Sequence, residues 1–287
     1  MKSWMIISMG SVFTIVCLAV AIWEPNIHTA ELGDSTIRYK LAREGAPAVI
    51  LEASFGGLEQ FDLVFDGLAA HTRTFAYDRP GYGKSSATSR SRNVHQIQED
   101  LRALLDIAEV EPPYVLVGSF ETAAFALHFA KRYPEQTAGV VLVDGFHPEL
   151  LERFTGLGLD VGPTKREYRT LPDHMRKELD AYATWSPPPN LGDIPLVVLT
   201  SNAGLDSEIG PMWRKTQLEL VELSSNSRHV EVSDVGHSIL DDRPELVIEN
   251  ILQLVDEVRR SGGDQMWITH SKMDGATRKS PQRSVSE

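Results

Sequence analysis

One cysteine, Cys17, is the only thiol among the 287 residues, so no disulfide can form within the chain. The nine histidines show neither H-E-x-x-H nor any paired ligand spacing, so no metal site is signalled and no cofactor is expected. Long basic runs are missing as well. With 28 Lys and Arg against 40 Asp and Glu the net charge is −12, and a phosphate backbone would be repelled over most of the surface. Nucleic acid is therefore excluded as a partner. No internal repeat is visible. What the chain does have is 42% hydrophobic residues, enough to bury one sizeable core, and its alternation of strand-like and helix-like stretches favours one domain over two.

The amino-terminal stretch stands apart. From Trp4 to Trp23 there is no charge, and 20 residues at the helical rise span roughly the 30 Å of a bilayer core. Lys2 precedes this run and no lysine or arginine follows until Arg38, which favours an inside amino terminus and a domain on the non-cytoplasmic side. Residues 1–30 are therefore expected to be a signal peptide or a membrane anchor. The run is longer than a usual signal core, yet Leu18-Ala19-Val20-Ala21 offers small residues for cleavage. The other reading, a buried helix of a soluble domain, demands an all-round apolar helix for which the rest of the chain shows no need.

Beyond it, strands and helices alternate. Residues 35–42 read as the first strand and Val49-Ile50-Leu51 as the centre of the second. Leu58–Ala70 carries a helical apolar stripe, Thr74–Tyr77 is a strand, and Asp78-Arg79-Pro80-Gly81-Tyr82-Gly83-Lys84-Ser85 is a glycine turn. Asn93–Ala108 is helical, and Pro113–Gly118 and Gly139–Asp144 are strands flanking a further helix. Residues 147–192 lose the strand pattern but hold two helical stretches, and are read as a cap lying over a site rather than a merely long connection. Ile194–Thr200, Met212–Leu223, His229–Val232 and Pro244–Arg259 then read as strand, helix, strand and helix. Residues 261–287 are polar, aperiodic and expected to be disordered.

Gly118-Ser119-Phe120-Glu121-Thr122 sits where an apolar strand meets a helix, and it resembles the G-x-S-x-G nucleophile elbow of the alpha/beta-hydrolase fold family. The turn at Asp78–Ser85 resembles that family's D-R-x-G-x-G-x-S turn, and the likeness runs over about residues 35–260. It implies a mostly parallel central sheet flanked by helices, residues 31–260 as the hydrolase domain, and a helical cap at about 147–192. It also implies a triad order of elbow, acid and base. His237, in the loop after the last strand, takes the base position; Asp206 takes the acid position, with Asp144 as its rival. The backbone N–H groups of Phe55 and Glu121 would be the oxyanion donors.

Three departures fall on this centre. Counted from either side of the corner, Phe120 occupies the position of the serine nucleophile; Thr122 replaces a glycine, and so does Ser54. Phenylalanine has no proton to give to a histidine. The bulky residue and the lost glycine lead us to expect a relaxed or repacked elbow with the Glu121 donor displaced. Two functional readings stay open: a hydrolase relative that binds a small molecule without triad chemistry, or a small-molecule hydrolase that uses Ser119, Glu121 or a water activated by His237. The Ser119 reading requires a one-residue deletion in the elbow. A membrane-tethered interaction protein is the third class, supported only by residues 4–23.

Overall fold

The apolar runs of the sequence become the middle of an eight-stranded sheet with the order β1-β2-β4-β3-β5-β6-β7-β8. The computed structural model describes residues 26–147, 149–150, 153, 165–182, 190–202, 210–236 and 238–262. The strands are β1 Ile27–Leu32, β2 Ser35–Ala42, β3 Ala48–Glu52, β4 Thr74–Tyr77, β5 Tyr114–Ser119, β6 Thr137–Val143, β7 Leu196–Ser201 and β8 Ser227–Val232. β1 and β2 form an antiparallel hairpin, and β2 runs antiparallel to β4. From β4 through β8 every pairing is parallel. Every residue of β3, β5 and β6 is buried, as strands covered on both faces by helices must be.

Alternation divides those strands between two cores. Ile50, Leu116, Val140, Leu142 and Val198 point to one face and meet α2 Val94–Ile107 and α3 Thr122–Arg132 through Leu101, Leu104, Leu127 and Phe129. Val49, Leu51, Val115, Val117 and Val141 point to the other, against α1 Asp62–Ala69 and α8 Pro244–Gly262, through Phe65, Leu68, Ile251 and Leu254. Among the described residues the remaining helices are α4 Lys165–Thr170, α5 Asp173–Tyr182, α6 Gly210–Val221 and α7 Ile239–Asp242, with 3-10 turns at Gly57–Phe61 before α1 and Pro134–Gln136 after α3.

The expected elements are present, with shifts at their ends. The first strand is Ile27–Leu32, not residues 35–42, so the sheet takes in chain that had been assigned to the leader. The reason lies in its exposure: His28, Thr29 and Glu31 face solvent on an edge strand, and only Ala30 and Leu32 are buried. The last helix runs on to Gly262, through Arg259 and Arg260. Basic residues in a last turn suit the negative end of the helix dipole, so they mark no stop by themselves. Asn93 caps α2 by accepting a hydrogen bond from the Gln96 N–H at 2.9 Å, which fixes that start where its sequence predicts it. Residues 4–23 and the tail beyond Gly262 lie outside the described residues. Among the described residues no helix is long and apolar enough to cross a membrane.

Candidate active site

The corner after β5 settles which residue stands at its apex. Phe120 has φ +48°, the left-handed conformation, while Glu121 has φ −65° and opens α3. Gly118 is needed beneath it, because a Cβ there would meet the Thr122 carbonyl oxygen at 2.6 Å and the Ala123 nitrogen at 2.8 Å. The expected relaxation of the elbow does not occur. Thr122 explains why: its hydroxyl accepts from the Ser119 N–H at 2.9 Å and lies within donating reach of the Ser119 carbonyl at 2.8 Å and the Glu52 carbonyl at 3.0 Å. A side chain that binds the turn's own backbone replaces a glycine that merely permits it.

Phe120 is half-buried and packs edge-to-face on Phe146, with centroids 5.8 Å apart; Phe146 in turn meets Trp213 at 5.9 Å. Ser119 is buried on the strand side of the corner. Its hydroxyl accepts from the Gln60 side-chain amide at 2.6 Å, and the Gln60 carbonyl accepts from the Ser54 N–H at 2.8 Å. Gln60 thus ties the two serines together.

Across the corner from Phe120 lies a buried polar cluster. The Ser54 hydroxyl donates to the Glu121 carboxylate at 2.6 Å. Burial raises the Glu121 pKa, while Arg79, the Ser54 hydroxyl and the residue's own backbone N–H oppose that rise. The residue whose N–H was expected to face an oxyanion thus carries a carboxylate held by Ser54 beside the corner. The other expected donor belongs to Phe55, whose exposed ring leans on Tyr82 at 5.9 Å.

Arg79 anchors the cluster. Its Nε donates to the Ala53 carbonyl at 3.1 Å and its Nη1 to Glu178 at 2.7 Å; the rings of Tyr82 and Phe125 lie 4.4 and 4.7 Å from the guanidinium carbon. Burial works against this charge, but Glu178, Tyr82 and Glu121 outweigh it and hold its pKa above the usual value. Glu178 comes from α5 and also accepts from the Tyr82 hydroxyl at 2.8 Å and from Arg92 at 2.9 and 2.6 Å. Despite burial, Arg79 and Arg92 keep its pKa lowered. Arg92 continues to Asp100 at 3.2 Å. Beneath the cluster Glu52 is wholly enclosed; burial pushes its pKa up to about 7, against a hydrogen bond of 2.8 Å from the Tyr77 hydroxyl.

Asp144 follows directly after β6 with φ +49°, and its carboxylate accepts from the Ser201 N–H at 2.9 Å and the Ser201 hydroxyl at 3.1 Å. His237 and Asp206 lie outside the described residues. The structure thus brings Ser54, Glu121 and Ser119 around one corner, with Phe120 at its apex. Arg79, Arg92 and Glu178 were not read from the sequence as site residues. Arg79 was visible in the D-R turn, but nothing in the pattern of α5 distinguishes Glu178 from its other acidic residues. Among the described residues no group of three or more His, Cys, Asp or Glu is arranged to hold a metal ion.

Comparison with known proteins agrees with this architecture. The family model described as alpha/beta hydrolase fold matches residues 47–162. Protein YqjL of Bacillus subtilis, itself uncharacterized, is 25% identical over 219 residues, which are 71% of this chain and 83% of that one. Mouse alpha/beta hydrolase domain-containing protein 10 superposes with a TM-score of 0.62 at 19% identity, over 81% of this chain and 99% of the other. A thermophilic esterase from Thermogutta terrifontis superposes at 0.60 and 17% identity, over 81% and 99%. The chain has the alpha/beta-hydrolase fold, which the family model matches over residues 47–162 and which these solved structures share.

Proposed function

We propose that this chain is a small-molecule-binding member of its family that does not run serine-triad hydrolysis. The observation that carries the reading is Phe120 at φ +48°, the strained apex from which the family's elbow presents its nucleophile. Two further observations support it. Ser119 is buried and engaged by Gln60, and the Glu121 carboxylate is held by Ser54 at the corner. A negative charge there opposes the build-up of a second negative charge on a reacting carbonyl. By their loop positions His237 is the base and Asp206 the acid of a remnant triad, with Asp144 the alternative acid. The segment 147–192 is the cap, contributing Glu178 to the polar cluster, and the uncharged run at residues 4–23 holds the domain on the non-cytoplasmic side of a membrane or exports it.

Hydrolysis of p-nitrophenyl acetate by the purified chain tests the catalytic part. Wild-type turnover is expected to stay near the uncatalysed rate. Phe120→Ser restores the hydroxyl at an apex that already has the required backbone, and adding Glu121→Met removes the negative charge beside the oxyanion donor. The double variant should exceed the single one by about 10²-fold, the usual value of one oxyanion donor. Robust wild-type turnover that disappears in Ser119→Ala would overturn the reading and move the nucleophile to Ser119.

A further inference from the structure

Among the atoms of the polar cluster, Arg79 Nη2 is buried and has no hydrogen-bond partner among the described residues. The guanidinium cannot turn to find one. Its Nε and Nη1 are held by Ala53 and Glu178, and Tyr82 and Phe125 lie against it. The Glu121 Oε1 atom lies 3.7 Å from Nη2, too far for a hydrogen bond, and it is held in turn by the Ser54 hydroxyl. A fixed donor and a fixed acceptor therefore stand side by side with the contact between them unmade. A buried guanidinium N–H left in this state is costly, and such groups in native proteins have a partner.

We propose that Arg79 and Glu121 form the recognition element for a neutral amide-type group, a carbonyl carrying an N–H on the same carbon. Its carbonyl oxygen accepts from Arg79 Nη2, and its N–H donates to the Glu121 carboxylate. A ligand carboxylate could use the donor but would be repelled by Glu121; an ammonium could use the acceptor but would meet the Arg79 charge. Only a group offering both an acceptor and a donor, without net charge, satisfies the pair. This inference rests on the reading that the corner holds a ligand, and it names that ligand's polar end.

Titration calorimetry on the full-length chain with propanamide and benzamide, each set against the carboxylate and the primary amine of the same carbon skeleton, tests it. The amides should bind at least about tenfold tighter than either charged counterpart, since like charges brought together across an interface are strongly disfavoured. In Glu121→Gln, checked for native circular dichroism, the carboxylate should gain at least about tenfold relative to the amide, because the repelling charge is gone while Arg79 remains. If that variant does not fold, the wild-type ranking decides alone. Carboxylate or amine binding as tightly as amide overturns this inference and leaves the ligand-pocket reading standing. Failure of every probe to bind, with only a water between Arg79 and Glu121, overturns it as well. Ester turnover, measured separately, bears on the earlier reading alone.

Discussion

At the scale of single residues, the corner shows what a side chain can do in place of glycine. Thr122 adds atoms where the family has none, yet the turn keeps its left-handed apex because the hydroxyl binds the backbone it crowds. Glu52 is a second case with a measurable consequence. Its pKa rises from 4.5 to about 7 in the folded chain, with burial the main cause. Between those values the folded state holds a proton that the unfolded state has released, so this residue's contribution makes stability fall as pH climbs from about 4.5 to 7. Glu52→Gln keeps an acceptor for Tyr77 without the charge. Urea midpoints measured from pH 5 to 8 should therefore decline less in the variant. At pH 8 it should be the more stable protein by about 3 kcal/mol, given about 1.4 kcal/mol per pKa unit over the rise from 4.5 to about 7. Equal slopes in the two proteins would refute the assignment.

At the scale of elements, α5 is the one whose placement depends on a single side chain. Across residues 173–180 only Glu178 is buried; the others are exposed or half-buried. Its carboxylate receives bonds from Arg79, Tyr82 and Arg92, and His174 adds an edge contact to Tyr82 at 4.9 Å. Glu178→Ala leaves two buried guanidinium groups without their shared anion, a loss of about 3 kcal/mol by the usual cost of breaking a buried pair. Limited proteolysis should then cut within α5 at protease levels that leave the wild type intact. Unchanged cleavage and an unchanged melting temperature would show that other contacts hold the helix. Glu178 also links α5 to the corner through Arg79, so the same variant should weaken any ligand that depends on that guanidinium.

At the scale of the whole molecule, the uncharged run at residues 4–23 carries the proposal that the domain is anchored or exported. We expect fractionation of cells expressing the full-length chain to recover it with membranes or outside the cytoplasm, and full recovery as a soluble cytoplasmic protein would refute this. The sequence indicated the class of fold, since β3, β5 and β6 are centred on short apolar runs, the helices between them carry their stripes openly, and the corner at Gly118–Thr122 and the turn at Asp78–Ser85 resemble those of the alpha/beta-hydrolase fold. It also pointed to the register of the corner, since the strand before and the helix after both count Phe120 to the apex, but the alternative of a one-residue shift to Ser119 was decided only by the φ of +48° at Phe120. It could not reveal β1, whose mostly polar face is that of an edge, nor the polar cluster, whose members are far apart in the chain. Glu178 lies 99 residues from Arg79 and Glu121 lies 67 from Ser54. Periodicity reports which face of an element is buried, and it is blind to which buried charges meet across the top of a sheet. That pairing was decided only when the parallel strands brought the ends of β3, β4 and β5 side by side and α5 supplied the anion.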